Sequence, residues 1–299
     1  MQPSDNAPVL SLHVVLARDP LAQLAWRAAS EAGRFLADER PDALAIEAKS
    51  SPTDVVTVMD RAAEALLIDR LRGARPDHGL LGEEGGERPG TSGIRWVVDP
   101  LDGTVNYLYG LPMWGVSVAA EDSASTDGGA STARGARIGV VITPDFDEGY
   151  LAIRGVGAWH VRAGLARPLS VRTCPSAAQA LVVTGFGYTP RQRAWQASIV
   201  SDLLPVVRDL RRSGAAVIDL CWLARGRTDA YFEHGLNLWD VAAGALIAAE
   251  AGADVSGGPG TDRFLLVAVP GIAAELSGIL DALHDRHGWK APPRPEAGG

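Results

Sequence analysis

Residues 96–110, WVVDPLDGTVNYLYG, join an apolar run to two acidic side chains. The run leads directly to Asp99 and Asp102, and Pro100 and Gly103 shape the turn that follows. This pattern predicts a buried strand that ends at a loop. Pro100 disfavours helical backbone at Asp99, so we expect both carboxylates to project close together. Such a pair suits a hard cation such as Mg²⁺, although Asp, Pro and Gly are also ordinary turn residues.

The composition is that of a globular protein with no membrane span. Of 299 residues, 46% are hydrophobic and 21% charged, and the apolar runs end well short of the ~18 to 20 residues that a span needs. A formal net charge of −8 disfavours nucleic acid and anionic membranes as partners. Cys174 and Cys221 have neither disulfide-framework nor metal-site spacing. With no signal peptide predicted at the N-terminus, we expect a cytoplasmic protein.

Helical and strand patterns alternate along the chain. Apolar spacing predicts an amphipathic helix from Pro20 to Asp38, with Asp19 as its N-cap, and a second helix that Asp60 caps. Closely spaced strands between residues 113 and 184 look antiparallel, with the polar segment 121–137 as a hairpin loop. A later helix, residues 241–250, is apolar on nearly every face and should be buried.

Other acidic residues stand at positions where loops or helices begin. Glu83 and Glu84 lie between glycines after a short strand, and Asp240 starts the buried helix. Lys49 and Asp54 lie in a Ser/Pro-rich loop. Taken singly, each of these residues can be a solvated charge or a helix cap. A functional role requires that the fold place them close to one another.

In combination, these motifs resemble the inositol monophosphatase family of Mg²⁺-dependent, lithium-sensitive phosphatases, especially its bacterial members of the actinobacterial type. The resemblance rests on G-E-E at Glu83, on W-V-V-D-P-L-D-G-T and on W-D-V-A-A-G at Asp240. It implies an α/β fold with a five-layer αβαβα sandwich. It also implies one catalytic domain over residues 19–288, with a flexible arm at 1–18 and a disordered tail at 289–299.

The resemblance also implies roles for individual residues. The expected metal ligands are Glu83, Asp99, Asp102, Asp240 and the backbone carbonyl of Leu101. Thr104, with Asp54 behind it, would position a water, and Glu84 is a second candidate for proton handling. The expected substrate contacts are the backbone of Gly103 and Thr104, then Gly214, Ala215, Ala216, Glu233 and Asp240, with Lys49 nearby. Ala215 stands where many members of the family have Ser or Thr.

The chemistry of this residue set favours direct hydrolysis of a phosphate monoester. Four carboxylates can hold two or three Mg²⁺ ions, which stabilise the attacking and leaving oxygens, so no covalent intermediate is needed. The favoured substrate is myo-inositol 1-phosphate, and the alternatives are histidinol phosphate and fructose 1,6-bisphosphate. A non-catalytic binding scaffold is a hypothesis of another class. Similar proteins are commonly homodimers.

Overall fold

The structure is a computed structural model, and it describes residues 8–41, 46–48, 55–122 and 135–289. Lys49, Asp54, most of the 121–137 loop and the C-terminal tail beyond Trp289 lie outside these ranges. The helices of the described part are α1 (Leu12–Leu16), α2 (Pro20–Asp38), α3 (Val58–Ala74), α4 (Thr104–Leu108), α5 (Pro190–Leu203), α6 (Ala216–Ala224), α7 (Leu238–Glu250) and α8 (Pro270–His287).

Two sheets form the framework, and the larger is almost wholly antiparallel. Its strands are β1 (Leu10–Ser11), β4 (Gly79–Gly82), β5 (Gly86–Arg88), β6 (Ile94–Asp102), β7 (Gly115–Asp122), β8 (Ala136–Thr143), β9 (Glu148–Ile153), β10 (Gly157–Arg162) and β11 (Leu165–Pro168). Their order is β1-β11-β10-β9-β8-β7-β6-β4-β5. Only β4 and β6 run parallel among these described strands. The antiparallel β7–β8 pair confirms the predicted hairpin around the 121–137 loop.

The smaller sheet is mixed. Its strands are β12 (Leu181–Thr184), β13 (Asp209–Arg211), β14 (Ala230–Glu233), β15 (Asp254–Ser256) and β16 (Leu265–Ala268), in the order β13-β12-β14-β16-β15. The first three strands in this order are parallel and the last two join antiparallel. A separate antiparallel pair is formed by β2 (Ile46–Ala48) and β3 (Val55–Thr57).

The helices and sheets stack in five layers, which confirms the predicted αβαβα sandwich. One apolar cluster joins α2 and α3 to the outer face of the larger sheet. A second holds α6 and α7 between the two sheets, and a third packs α5 and α8 on the far side of the smaller sheet. No helix in the described ranges is long and apolar enough to cross a membrane.

The sandwiched position of α7 explains its sequence. Because both of its sides face sheets, the helix needs apolar residues all round. A Cβ on Gly139 of β8 would lie 2.8 Å from the backbone oxygen of Ala243, so helix and sheet approach here as closely as backbone allows. The predicted buried helix is therefore confirmed, and its apolar surface comes from contact with two layers.

The capping residues in the sequence predict where α2 and α3 begin, whereas the prediction for the N-terminal segment is wrong. Asp19 caps α2 as predicted, its Oδ1 accepting the Leu21 N–H at 2.7 Å. Asp60 lies in the first turn of α3 within a capping box whose N-cap is Thr57. Leu10–Ser11 pairs with β11 in the larger sheet, which corrects the prediction of a flexible arm for this segment.

Candidate active site

The end of β6 carries the first two acids of the site. The pairing of β6 with β7 shifts register between Asp99 and Asp102, so the strand bulges around Pro100. Asp99 is only 1% exposed, and its Oδ1 accepts the Leu101 N–H at 3.0 Å. The bulge thus fixes one acid below the surface and presents the next at the strand end.

Gly103 turns the chain sharply after these acids. Its φ is 88°, in the left-handed region, and a Cβ would lie 2.7 Å from the carbonyl oxygen of Met113. Only glycine meets both demands without strain. The turn brings Thr104 back to the strand end as the first residue of α4.

Two further elements hold the acids in place. The Val217 N–H at the start of α6 donates to Asp102 Oδ2 at 2.7 Å, and the Asn237 N–H before α7 donates to Asp240 Oδ2 at 2.6 Å. Glu83 follows β4, the parallel neighbour of β6. In Asp99, Asp102 and Asp240, one carboxylate oxygen accepts a backbone N–H. This hydrogen bond fixes the plane of the carboxylate and therefore the direction of its second oxygen.

The acids repel one another. Burial, followed by the charges of Glu83, Asp102 and Asp240, raises the pKa of Asp99 well above its ordinary range. Burial raises the pKa of Asp102 to about 8, although the Val217 N–H opposes the shift. Asp240 keeps some surface toward the cavity, yet burial and the charges of Glu83 and Asp102 raise its pKa well above normal. The strongest charges around each aspartate are other carboxylates.

This donor set fits a divalent cation. Buried carboxylates that lack compensating charge are costly, and oxygen donors suit a hard ion such as Mg²⁺. In the ranges that the structure describes, no three acidic, His or Cys side chains are already arranged as a coordination shell. Binding an ion would therefore draw the carboxylates together.

Asp60 is the carboxylate that contacts Thr104. Thr104 Oγ1 lies 2.9 Å from Asp60 Oδ1 and 3.0 Å from the Leu101 carbonyl oxygen. Thr57 donates its backbone N–H and its hydroxyl to the other oxygen, Asp60 Oδ2. The sequence interpretation gave this role to Asp54, which lies outside the described residues. It treated Asp60 only as the cap of the helix, whereas Thr57 is the N-cap and Asp60 is the third helical residue, which completes the capping box.

A cavity of ≈ 380 Å³ opens beside the acids. Glu83, Asp102 and Asp240 line one side of it. The predicted substrate contacts Gly214, Ala215, Ala216 and Glu233 line it as well. Gly103, Thr104 and Glu84 are not among its lining residues. It also reaches the glycine-rich loop from Gly185 to Thr189.

Two further acids, Glu233 and Asp219, line the cavity, and their charges act on Asp102 at the end of β6. Tyr231 donates its hydroxyl to Glu233 Oε2 at 2.5 Å, and Ser213 donates its hydroxyl to Asp219 Oδ2 at 2.6 Å. Burial raises the pKa of both carboxyls to about 7, against the effect of these hydroxyl donors. Sequence reasoning missed Asp219, whose only signal is an acid within the otherwise apolar helix α6.

Arg212 is the cation of the cavity wall. It lines the cavity beside Asp219 and Glu233, and its positive charge lowers the pKa of both carboxyls against the larger effect of burial. Its neighbour Arg211 is instead paired with Asp209 at the surface.

Comparison with known proteins shows which sequences and folds the chain resembles. The model of the inositol monophosphatase family matches residues 17–289. Inositol-1-monophosphatase SuhB of Mycobacterium tuberculosis is 41% identical over 281 residues, or 87% of this chain and 93% of that protein. Nus factor SuhB of Escherichia coli is 37% identical over 280 residues, or 89% and 98%. The crystal structure of extragenic suppressor protein suhB from Bartonella henselae superposes with a TM-score of 0.77 at 31% identity, covering 88% and 98%.

Proposed function

The chain belongs to the inositol monophosphatase family, and from that premise we propose that it is a Mg²⁺-dependent phosphatase that hydrolyses myo-inositol 1-phosphate to inositol and phosphate. The observation that carries this proposal is the set of mutually repelling carboxylates at the end of β6, beside a cavity of ≈ 380 Å³. A cation and an anionic phosphate together would neutralise this arrangement. The Mycobacterium tuberculosis relative is itself named an inositol-1-monophosphatase.

Five residues would hold two or three Mg²⁺ ions: Glu83, Asp99, Asp102, Asp240 and, through its carbonyl oxygen, Leu101. When bound, these ions would supply positive charge to the phosphate and leaving oxygen and lower the pKa of the attacking water. The chain's own part is to orient these carboxylates, which the N–H groups of Leu101, Val217 and Asn237 do for the three aspartates.

Thr104 and Asp60 would position the water. Because the Thr104 hydroxyl donates its proton to Asp60 Oδ1 or to the Leu101 carbonyl, its oxygen lone pairs remain to accept a hydrogen bond from the water and so orient it. Asp60 is fully buried, and Thr57 holds it from the other side. The backbone N–H groups of Gly103 and Thr104 would bind phosphate oxygens, and Glu84 is kept as a second candidate for proton handling.

The part of the cavity that Glu233 and Asp219 line would bind the polyol. Glu233 and Asp219 are acceptors for hydroxyl groups, and Ala215 leaves space where a Ser or Thr would add another hydroxyl. The ammonium group of histidinol phosphate would pair with the same carboxylates. The second phosphate of fructose 1,6-bisphosphate would pair with Arg212, so the cavity offers a physical basis for each alternative.

A phosphate-release assay tests the proposal. The purified protein should release phosphate from myo-inositol 1-phosphate with Mg²⁺ but not with excess EDTA, and more efficiently than from histidinol phosphate or fructose 1,6-bisphosphate. Asp102→Asn should abolish the activity while the fold survives, since removing one of several repelling acids does not weaken the metal-free protein. Equal turnover with EDTA would overturn the metal mechanism.

A non-catalytic role is the alternative from another class. The Escherichia coli relative is named a Nus factor. The net charge of −8 argues against nucleic acid as a direct partner here. Mg²⁺-dependent phosphate release from any compound of the panel would reject a scaffold as the sole role.

Family resemblance adds three further proposals: inhibition by lithium, a homodimeric assembly and a cytoplasmic location. A Li⁺ titration of phosphate release, light scattering of the purified protein and fractionation of cells test them in turn.

A further inference from the structure

Glu64 is a buried acid that the mechanism above does not use. It lies one turn after Asp60 on the same face of α3 and is only 3% exposed. Its Oε2 accepts the Glu84 N–H at 2.8 Å, and the Gly85 backbone is a further hydrogen-bond partner. The carboxylate therefore binds the short turn between β4 and β5.

The turn is shaped to receive this carboxylate. A Cβ on Gly82 would lie 2.7 Å from Glu64 Oε2, and a Cβ on Gly85 would lie 2.5 Å from Oε1. Gly82 pairs with Gly86 across the hairpin, so only Glu83, Glu84 and Gly85 make up the turn. The absence of side chains at positions 82 and 85 creates the recess that the carboxylate fills.

The position of Glu64 has a cost that a purely structural residue would avoid. A buried carboxylate without a charged partner destabilises a fold, and an apolar side chain would fill a helix–sheet contact better. No salt bridge to Glu64 is formed among the described residues. Burial raises its pKa, the Glu84 and Gly85 N–H groups lower it, and the charges of Glu84 and Arg88 act on it in opposite directions. What the carboxylate provides is a fixed orientation for backbone N–H groups next to Glu83.

We propose that Glu64 is a positioning residue that orients the Glu83 carboxylate toward Asp99, Asp102 and Asp240, so that α3 supports both halves of the site. Asp60 contacts Thr104, and Glu64 one turn later accepts the N–H of Glu84, the residue next to Glu83. This role rests on the proposed function, because it matters only if Glu83 binds the ion. Residues that orient metal ligands typically change metal affinity by about 10- to 100-fold when replaced.

Direct Mg²⁺ binding to the substrate-free protein, measured by titration calorimetry, is the first test. Glu64→Gln should raise the Kd for Mg²⁺ by about tenfold, while kcat at saturating Mg²⁺ stays close to wild type, because the ligands themselves remain. Asp69→Asn is the control on the same helix, since the Asp69 side chain is 71% exposed. Its Kd should equal that of the wild type.

A double-mutant cycle tests the contact itself. Gly85→Ala should also weaken Mg²⁺ binding, because the new methyl group would displace the Glu64 carboxylate. In a Glu64→Ala background the methyl group has room, so the double variant should bind Mg²⁺ no more weakly than Glu64→Ala alone. Independent, multiplicative effects would overturn the proposed contact.

The outcomes separate this inference from the proposed function. If Glu64→Gln lowers the unfolding temperature but leaves the Mg²⁺ affinity at the wild-type value, the residue is structural and the positioning role is wrong. If the wild type itself neither binds Mg²⁺ nor releases phosphate, the proposed function fails and the positioning role fails with it.

Discussion

At the scale of single residues, Thr104 and Asp60 illustrate how tertiary contacts assign chemistry. They are 44 positions apart, yet Thr104 Oγ1 lies 2.9 Å from Asp60 Oδ1. Asp60 serves two purposes, since its other oxygen accepts from Thr57 at the start of α3. A helix-capping contact and the proposed water-positioning contact thus involve the same side chain.

Replacing Asp60 tests the water-positioning role. Asp60→Asn should lower kcat by about 10²-fold, the lower range for loss of assisted proton transfer, with a small change in Mg²⁺ affinity. Thr104→Val should have a similar effect, because it removes the hydroxyl, whereas Thr104→Ser should keep most of the activity. Steady-state kinetics at saturating Mg²⁺ measure this, and wild-type kcat in Asp60→Asn would contradict it.

At the scale of elements, the acids meet because four separate elements end at one place. Asp99 and Asp102 come from β6, Glu83 follows β4, and Asp240 lies in the first turn of α7. Helix α6 contributes the Val217 N–H that holds Asp102. The charge repulsion among them follows from this convergence, and it links metal binding to pH.

Mg²⁺ affinity should rise with pH. Burial raises the pKa of Asp102 to about 8, so below that pH an incoming ion must displace a proton. Each proton released increases the affinity by about tenfold per pH unit. Calorimetric titrations between pH 6 and pH 9, in buffers of different ionisation enthalpy, would measure both affinity and proton release. An affinity independent of pH over this range would contradict the prediction.

The stability of the metal-free protein should change in the opposite direction. The pKa of Asp102 is raised above the value of about 3.9 for an unfolded Asp, so the folded state binds the proton more tightly. Stability is therefore full below about pH 4 for this group and falls as pH rises toward 8, at about 1.4 kcal/mol per pH unit for each such proton. Chemical denaturation with EDTA at several pH values measures the slope for the whole protein.

The close contact of α7 with the larger sheet gives another prediction at this scale. Gly139→Ala should destabilise the protein by about 1 to 3 kcal/mol, because its methyl group would overlap the backbone of Ala243, which cannot move independently. Gly73→Ala is the control: Gly73 lies in α3 with nothing within 4 Å of its would-be Cβ. It should stabilise the helix by up to about 1 kcal/mol. Urea denaturation measures both.

At the scale of the whole molecule, the candidate site lies where layers meet. The larger sheet provides Asp99 and Asp102, the smaller sheet provides Glu233, and the helices between the sheets provide Asp219 and Asp240. A ligand that binds all of these residues can bind only while the layers are packed together, so it stabilises that packing. Ligand binding and global stability should therefore change together.

Mg²⁺ should stabilise the fold as one cooperative unit, as the proposed single domain over residues 19–288 requires. At a free concentration of 100 times its Kd, one ion adds about 2.7 kcal/mol to the free energy of unfolding. Calorimetry should show a single transition that moves to higher temperature. Two transitions, of which only one responds to Mg²⁺, would contradict a single domain.

The sequence by itself determined the local features of this protein. Helix α2 with its Asp19 cap, the buried α7 and the strand that ends in Asp99 and Asp102 all follow from periodicity and turn chemistry, because these act over a few neighbouring residues. The family motifs added the five-layer fold.

Only the tertiary structure decided which distant residues meet. Asp60 accepts the Thr104 hydroxyl, and Glu64 accepts a backbone N–H of the turn that contains Glu83. Asp219 lines the cavity. A helical acid has the same local pattern whether it caps, faces solvent or supports a metal ligand. The difference arises from contacts between elements that are far apart in the sequence, which local patterns do not encode.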